Sequence, residues 1–321
     1  MRVNILALDG AFDTGLSVIR DTFATANELA QLERTPTRLF DVQVVGVGRE
    51  VRTALGATVP VTALERAGRA DWMVVPALGF KQPEPLRQAL NRRDVKQATE
   101  ALRAGSDQGC GVAAACIGTF VLAESGLLDG HVATTTWWLA PLFRQRYPSV
   151  ELDPSRMVVR SGRMLTAGAA LSHMDLALAL VREASPDIAV MVARYLVVDN
   201  RPSQSAYAIA EHLSRSDPVV QAFERWARRR LREGITLDEA SSALSVSKRT
   251  LARRTLDVLG KSPLAFFQDL RVEHAVHLLR TTSMSVERVA EAVGYVDPGS
   301  LSSLLRRRLG TTVRTLRRPH H

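Results

Sequence analysis

The stretch from Ile235 to Arg318 repeats one pattern twice, and that repeat limits what the region can fold into. The first copy reads ITLDEASSALSVSKRTLARRTLDVLG, Ile235 to Gly260, and the second MSVERVAEAVGYVDPGSLSSLLRRRLG, Met284 to Gly310. Each opens on a short apolar-periodic helix, breaks at a tight turn and continues in a second helix ending in Leu-Gly. In the first copy Leu237, Ala240, Leu244 and Val246 fall on one face, the spacing of an amphipathic helix. Ser247 stands where an N-cap belongs, before a helix from Lys248 to Leu259 whose buried stripe is expected to be Leu251, Leu256 and Leu259. Lys248, Arg249, Arg253 and Arg254 are then left mostly outward. In the second copy Val286, Val289, Ala290 and Val293 form the stripe. Gly294 is placed for a positive-φ cap, and Asp297 with Pro298 for opening the next helix. Leu301, Leu304, Leu305 and Leu309 give that helix its inner face, followed by Arg306, Arg307 and Arg308. Pro263 to Thr281 reads as one long helix joining the copies. A bihelical turn presenting a basic second helix has the geometry for entering a major groove.

A basic run is often only a solvated helix face, and charge partition separates the two readings. Residues 221–321 hold 19 Lys/Arg against 10 Asp/Glu, while residues 1–220 hold 23 of each. The whole excess of +9 therefore lies with the twin pattern, the electrostatic footprint of a polyanion-binding surface. A membrane surface is the competing polyanion, but the tail has no basic amphipathic helix with a bulky aromatic face.

On Ala240, Ser247, Leu251, Arg254, Gly260, Ser262-Pro263, Arg271, Ala275, Leu278-Leu279, Val289-Ala290, Val293-Gly294-Tyr295, Arg306 and Gly310, the tail resembles the AraC-type DNA-binding domain. The resemblance implies two recognition helices in successive major grooves of promoter DNA. It places Arg249, Ala252 and Arg253 toward the bases from the first helix, which Ser247 and Lys248 open. It places Pro298, Gly299 and Ser303 toward the bases from the second. Many relatives carry Arg at the position of Ser303 and aromatics at those of Leu301 and Leu305, so base reading is expected mainly from the first helix. Arginine can pair bidentately with guanine. The second helix is expected to hold phosphates through Arg306, Arg307 and Arg308, which positions rather than specifies.

The 321 residues leave room for a second domain, and 46% hydrophobic residues suffice for real cores. No apolar run reaches the roughly 18–20 residues of a membrane span, and Met1 to Gly10 lacks a basic leader and cleavage site. Cys110 and Cys116, six residues apart on a strand and its following turn, are not expected to form a disulfide, and a reducing cytoplasm is the simpler setting. Zinc spacing, a phosphate loop and an EF-hand pattern are missing, and neither a metal nor a cofactor is expected.

The front of the chain alternates strands and helices. Strands are expected at Val3–Leu8, Leu39–Val47, Asp71–Pro76, Gly109–Ala115 and His131–Thr136, with hairpins at Val51–Pro60 and Val158–Thr166. Helices are expected at Thr14–Leu32, Pro83–Ala104, Ile117–Ser125, Trp137–Tyr147, Ala170–Ala184 and Ile188–Val198. That alternation implies an α/β domain with a mostly parallel sheet covered on both faces. The divisions expected are a domain over 1–198, a Pro- and Ser-bearing linker over 199–217 and an all-α domain over 218–321, beginning with a helix at Ala222–Arg232.

Chemistry concentrates at Gly109 to Gly130, where a run of small residues ends a strand at Cys116 and a helix begins at Ile117-Gly118. A strand–turn–helix elbow of this kind needs small neighbours around a cramped turn residue. A helix N-terminus favours a thiolate, so Cys116 is a candidate nucleophile or oxidisable sensor. A small buried hydrophobe is the other reading.

The stretch AACIGTFVLAESGLLDGHVATTTWW, with LDGAFD near the start, resembles the glutamine-amidotransferase-like superfamily of PfpI type over about Val3 to Ala184. With the AraC-type tail, the chain resembles the GlxA-type group of transcriptional regulators. The resemblance implies a flavodoxin-like front domain, a small-molecule effector and a homodimer formed through that domain, with RNA polymerase a further partner. It puts Asp13 where the superfamily's acid belongs and Cys116 where its nucleophile belongs. Thr136 stands before Trp137 where many relatives carry His, and Ser17 replaces a proline. A cysteine without an adjacent imidazole loses its usual route to activation, so the elbow is expected to be catalytically degenerate and the chain not an enzyme. The effector is expected to meet Asp13, Leu78, Gly79, Cys116, Ile117, Thr136 and Trp137. Asp13 as an N-cap of the following helix, Trp137 and Trp138 as packing and His173 as a satisfied structural histidine are the plainer readings beside these. The alternatives for the whole chain are a cysteine-dependent amide-, nitrile- or glyoxal-processing enzyme fused to a DNA-binding module, and a redox switch at Cys116.

Overall fold

The computed structural model describes residues 1–33, 38–199, 201, 203–204, 217–309 and 312–317, apart from the side chain of Arg307. The chain divides into two compact units, Met1–Ser205 and Ala206–His321. Most of the stretch read as a linker lies outside the described residues.

The front unit is built on strands β1 (Arg2–Leu6), β2 (Asp41–Gly46), β5 (Thr62–Ala63), β6 (Trp72–Val75), β7 (Gly111–Ala115), β10 (Val158–Ser161) and β11 (Met164–Ala167). They form one sheet in the order β10-β11-β7-β6-β1-β2-β5. Its pairings are parallel except β10 with β11, a hairpin turning at Gly162 with φ 59°. Successive side chains of a strand point to opposite faces, and here both faces are apolar. Val3, Ile5, Trp72, Val74, Ala113 and Ala115 pack with helices α1 (Asp13–Leu32), α6 (Ser172–Ala184) and α7 (Pro186–Tyr195). Leu6, Met73, Val75, Val112 and Ala114 pack on the other side with α2 (Pro83–Leu90), α3 (Arg93–Asp107), α4 (Gly118–Glu124) and α5 (Ala140–Arg146). That two-sided covering is why the strands read as nearly unbroken apolar runs.

Two expected elements of the front unit differ most, and in the tail the helix foreseen at Ala222–Arg232 starts and ends four residues earlier, at Pro218–Arg228. The helix foreseen over Pro83–Ala104 is two, because Arg92 is extended (ψ 154°) and starts α3. Its guanidinium holds the Asp9 carbonyl at 2.7 Å and both carboxylate oxygens of Asp94 at 3.0 and 2.8 Å. The strand foreseen over His131–Thr136 shrinks to β8 (Val132–Ala133), which pairs only with β9 (Glu151–Leu152). The three threonines after it are all buried, and their hydrogen bonds go elsewhere than a ladder. Thr134 N–H donates to Thr166 Oγ1, and the Thr135 hydroxyl donates to the Cys116 carbonyl.

The tail unit holds α8 (Pro218–Arg228), α9 (Leu237–Ala243), α10 (Lys248–Leu259), α11 (Pro263–Thr281), α12 (Val286–Ala292), α13 (Pro298–Leu309) and α14 (Val313–Leu316). Side-chain caps set most of the helix starts. Asp217 accepts from Val219 and Val220 N–H, and Thr236 and Glu239 form a reciprocal capping box. Ser247, Ser262 and Ser285 each accept an amide, and Asp297 accepts from Gly299 and Ser300. One helix serves two cores. Phe266, Phe267 and Leu270 of α11 pack with α8, α9 and α10, and Val272, Ala275 and Leu279 pack with α12 and α13. Arg271 sits between them, 8% exposed, donating to the Leu231 carbonyl at 2.9 Å and lying over the rings of Phe267 and Tyr295. Gly294, at φ 77°, closes this junction, where a Cβ would come within 2.3 Å of the Arg271 guanidinium. The two helix–turn–helix units thus share one long helix, α11. Leu256 is a correction: it is 55% exposed, and Thr255 and Val258 are buried instead. Leu251, Thr255, Val258 and Leu259 follow the 3–4 residue spacing of one helical face, which Leu256 leaves.

Candidate functional sites: a buried elbow and an arginine surface

At the end of β7, Cys116 adopts φ 56°. A left-handed conformation at a non-glycine residue costs on the order of 1–3 kcal/mol and persists where surroundings over-determine it. Cys116 N–H donates to the Ala167 carbonyl at 2.8 Å, and its own carbonyl accepts from the Thr135 hydroxyl at 2.7 Å. Two residues on, Gly118 lets α4 lie against the end of β6, since a Cβ there would come within 2.3 Å of the Val75 carbonyl oxygen.

The elbow is closed and free of charge. Cys116, Ile117, Leu78 and Thr136 are all buried, and the first three share one apolar cluster. Burial pushes the Cys116 thiol up to about 12, against small opposing effects of the Ile117 backbone and the Thr136 hydroxyl. That hydroxyl lies close enough to favour the thiolate slightly, yet makes no hydrogen bond of ordinary geometry. The Ile117 amide at the helix start still favours the thiolate, as expected, but desolvation outweighs it. Cys110 and Cys116 are both free thiols.

His173 is fully buried, and both of its ring nitrogens are committed to the backbone. Nε2 accepts from Ala77 N–H at 3.0 Å, and Nδ1 bonds the Ala170 carbonyl. This fixes the neutral tautomer with its proton on Nδ1. Burial lowers its pKa to about 4. Gly15 of α1 makes room for the ring, since a Cβ would lie 2.6 Å from Nε2. The unit's other histidine, His131, has its Nδ1 on Ser161 at 2.9 Å. Among the described residues neither imidazole bonds the thiol.

The remaining expected contacts are partly open and differently engaged. Asp13 is the first residue of α1 and caps nothing; its carboxylate accepts from Leu55 N–H at 3.0 Å. Together with Asp9, which accepts from Arg52 N–H at 2.9 Å, it fastens the hairpin of β3 (Glu50–Arg52) and β4 (Thr58–Pro60). The Gly79 amide, foreseen among the effector contacts, donates to the Gly10 carbonyl at 2.7 Å. Trp137 is half-buried and meets Trp138 edge-on at 5.5 Å. The structure thus brings Leu78, Cys116 and Ile117 together in one cluster, puts Thr136 beside the thiol, and ties Asp13 and Gly79 to neighbouring loops.

On the tail, acids sort the basic residues. Lys248 pairs with Asp238, Arg254 with Asp217 at 3.0 Å, and Arg308 with Asp269 at 3.3 Å. Arg254 and Arg308, foreseen as outward and phosphate-facing, thus help to hold the domain. Arg249, Arg253 and Arg306 are exposed and pair with no acid among the described residues. Arg249, Ala252 and Arg253 stand on one face of α10, three and four residues apart. Gly299 and Ser303 are exposed on α13, with Pro298 half-exposed. The Arg307 side chain lies outside the described residues. Sequence reasoning missed Asp217, which both caps α8 and anchors Arg254, and Gln204, a buried residue within the supposed linker. A capping acid before Pro218 was a readable signal for the first; nothing local marked the second.

Comparison with known proteins agrees with both halves. Residues 1–183 match the model of the DJ-1/PfpI family, and residues 240–319 match a helix-turn-helix domain. The HTH-type transcriptional regulator GbdR of Pseudomonas aeruginosa is 25% identical over 316 residues, covering 96% of this chain and 82% of its own. The HTH-type transcriptional regulator GlxA of Rhizobium meliloti is 26% identical over 275 residues, covering 84% and 82%. A putative transcriptional regulator protein from Vibrio parahaemolyticus superposes with a TM-score of 0.52 at 21% identity, over 61% of this chain and 98% of that one. At that identity the likeness shows the fold alone.

Proposed function

This chain belongs to the DJ-1/PfpI family and carries an AraC-type helix-turn-helix domain, and from that premise we propose that its front unit senses a small molecule while its tail reads DNA. It is a DNA-binding transcriptional regulator; the division of labour, the residues and the effector site are the proposal. The sensor spans 1–198 and the DNA-binding domain 218–321. The effector contacts the elbow through Leu78, Cys116, Ile117, Thr136 and Trp137, with Asp13 and Gly79 at its rim. The protein acts in the cytoplasm as a homodimer through the front unit, and RNA polymerase is a further partner at the promoter.

One observation carries the reading. Among the described residues, Arg249, Arg253 and Arg306 on the recognition helices are exposed and pair with no acid, whereas Lys248, Arg254 and Arg308 are paired. Base reading falls chiefly to Arg253 and Arg249 of α10, and Arg306 of α13 holds a phosphate. At the elbow, a thiol held near 12 and two histidines bonded elsewhere support sensing without turnover. A nucleophile needs an adjacent base or a lowered pKa.

Footprinting on the chain's own upstream region, with and without candidate amino acids and quaternary amines, tests the proposal. The expected result is protection across two successive major grooves that changes with one metabolite. Protection that no metabolite alters would remove the sensing half. Steady turnover of an amide, nitrile or glyoxal by the full chain would restore the enzyme reading.

A further inference from the structure

Near the end of the front unit, Gln204 is 1% exposed although it stands in a polar exit segment. Its side-chain amide is bonded at both ends. Oε1 accepts from Ala169 N–H at 2.9 Å, and Nε2 donates to the Thr135 carbonyl at 2.8 Å, with Thr134 Oγ1 at 3.3 Å and the Arg156 carbonyl at 3.4 Å. Gly168 makes the seat, since a Cβ there would lie 2.5 Å from the amide. The backbone around it is held as well. Gln204 N–H and the Ser203 hydroxyl both donate to the Ser155 carbonyl, and Ser203 bridges Arg156. Arg201 reaches Asp175 of α6 at 2.6 Å.

We propose that Gln204 is a positioning residue that couples the elbow to the point where the chain leaves the front unit. Thr135 is the intermediary: its carbonyl accepts from Gln204, and its hydroxyl donates to the carbonyl of Cys116. One residue therefore separates the strained turn from the exit segment. Thr136, whose buried hydroxyl makes no hydrogen bond of ordinary geometry among the described residues, is the next residue along and lies beside the thiol. A buried amide costs several kcal/mol unless its groups are bonded. The seat thus holds Gln204 with all its partners or releases it, and intermediate positions are disfavoured. A ligand that shifts Thr135–Thr136 loosens Gln204, and by reciprocity whatever loosens Gln204 opens the elbow. The inference rests on the elbow being the effector site. Its test needs no effector, so the two fail separately.

The probe is iodoacetamide at pH 8.5 on the full chain, with alkylation of each cysteine followed by mass spectrometry. Gln204→Glu keeps the shape and the acceptor but turns an acceptor toward the Thr135 carbonyl. It is expected to speed labelling of Cys116 about tenfold, a change of ~1.4 kcal/mol, while labelling of buried Cys110 changes less than about twofold. Thr135→Val removes the hydroxyl on the Cys116 carbonyl and leaves the bond from Gln204 in place. In that background Gln204→Glu is expected to add less than about twofold, the non-additivity that marks coupled residues. Unchanged Cys116 labelling, a parallel rise at Cys110, or a full tenfold effect persisting in Thr135→Val would each overturn the proposal.

Discussion

At the elbow the chain has removed charge and turned its polar groups inward; on α10 it has done the reverse. Cys116 and His173 are both buried, one a thiol held protonated and the other an imidazole held neutral. Arg249 and Arg253 stand exposed and pair with no acid among the described residues, although Lys248 and Arg254 on the same helix are paired. Both regions sit at helix starts with similar sequence signals, a small or capping residue followed by a helix. Burial decides what each does. Desolvation disfavours the charged forms of both buried groups, whereas a surface guanidinium keeps its charge and its donors for a partner.

The contrast can be broken most sharply at Cys116. A thiol at about 12, against about 9 for an ordinary one, leaves on the order of a thousandfold less thiolate at pH 8, because each unit is a factor of ten. Labelling of Cys116 by iodoacetamide should lag a free thiol by about that factor and rise only in strong alkali. Labelling with an apparent pKa near 8.5 would mean the elbow is open and the contrast false.

His173 gives the next largest effect. Its folded pKa, about 4, lies below the unfolded value of 6.5. Below pH 6.5 the unfolded chain takes up a proton that the folded one refuses. The stability His173 confers is therefore present above pH 6.5 and lost as pH falls toward 4, about 3 kcal/mol in all by linkage. Urea melts of the front unit's fluorescence between pH 7 and 4 check this. A melt midpoint insensitive to pH across that window would show the imidazole is not buried neutral.

On the exposed side, Arg253→Ala should weaken binding to the specific site by about 1–3 kcal/mol, roughly five- to 150-fold, and relax one base preference. Equal loss on specific and scrambled duplexes would reassign Arg253 to a phosphate. The smallest effect is expected at Ser303→Ala, within about 0.5 kcal/mol as for an ordinary surface substitution. A larger effect there than at Arg253 would reverse the inequality between the two recognition helices, and competition titrations against the same duplex rank them directly.

How much of this was legible in the sequence differs between the two regions for the same physical reason. The tail's caps, turns and apolar stripes are local, so Ser247, Gly294 and Asp297 were readable where they stand. Leu256 was misplaced because it is apolar and stands three residues before Leu259, while the true inner face runs through Thr255 and Val258. At the front, β7 and the elbow were visible as a run of small residues before a helix. What surrounds the elbow is not local. The Gly79 amide is taken by Gly10, Asp13 by Leu55, and Thr135 by Cys116 and Gln204. These are long-range bonds between loops, and no periodicity announces them. The shortened strand over His131–Thr136 is the same case, since Thr134 and Thr135 bond tertiary partners rather than a ladder.

On this account the tail grips and reads a duplex through arginines that no acid pairs among the described residues. Binding of the full chain to a labelled duplex from its own upstream region, titrated against a scrambled duplex over about 50–200 mM salt, tests it most directly. The expected result is a linear fall of log affinity with log salt, as phosphate contacts require, and a preference for the natural duplex of at least about a thousandfold. Equal affinity for the two duplexes, or no binding at the lowest salt, would contradict it.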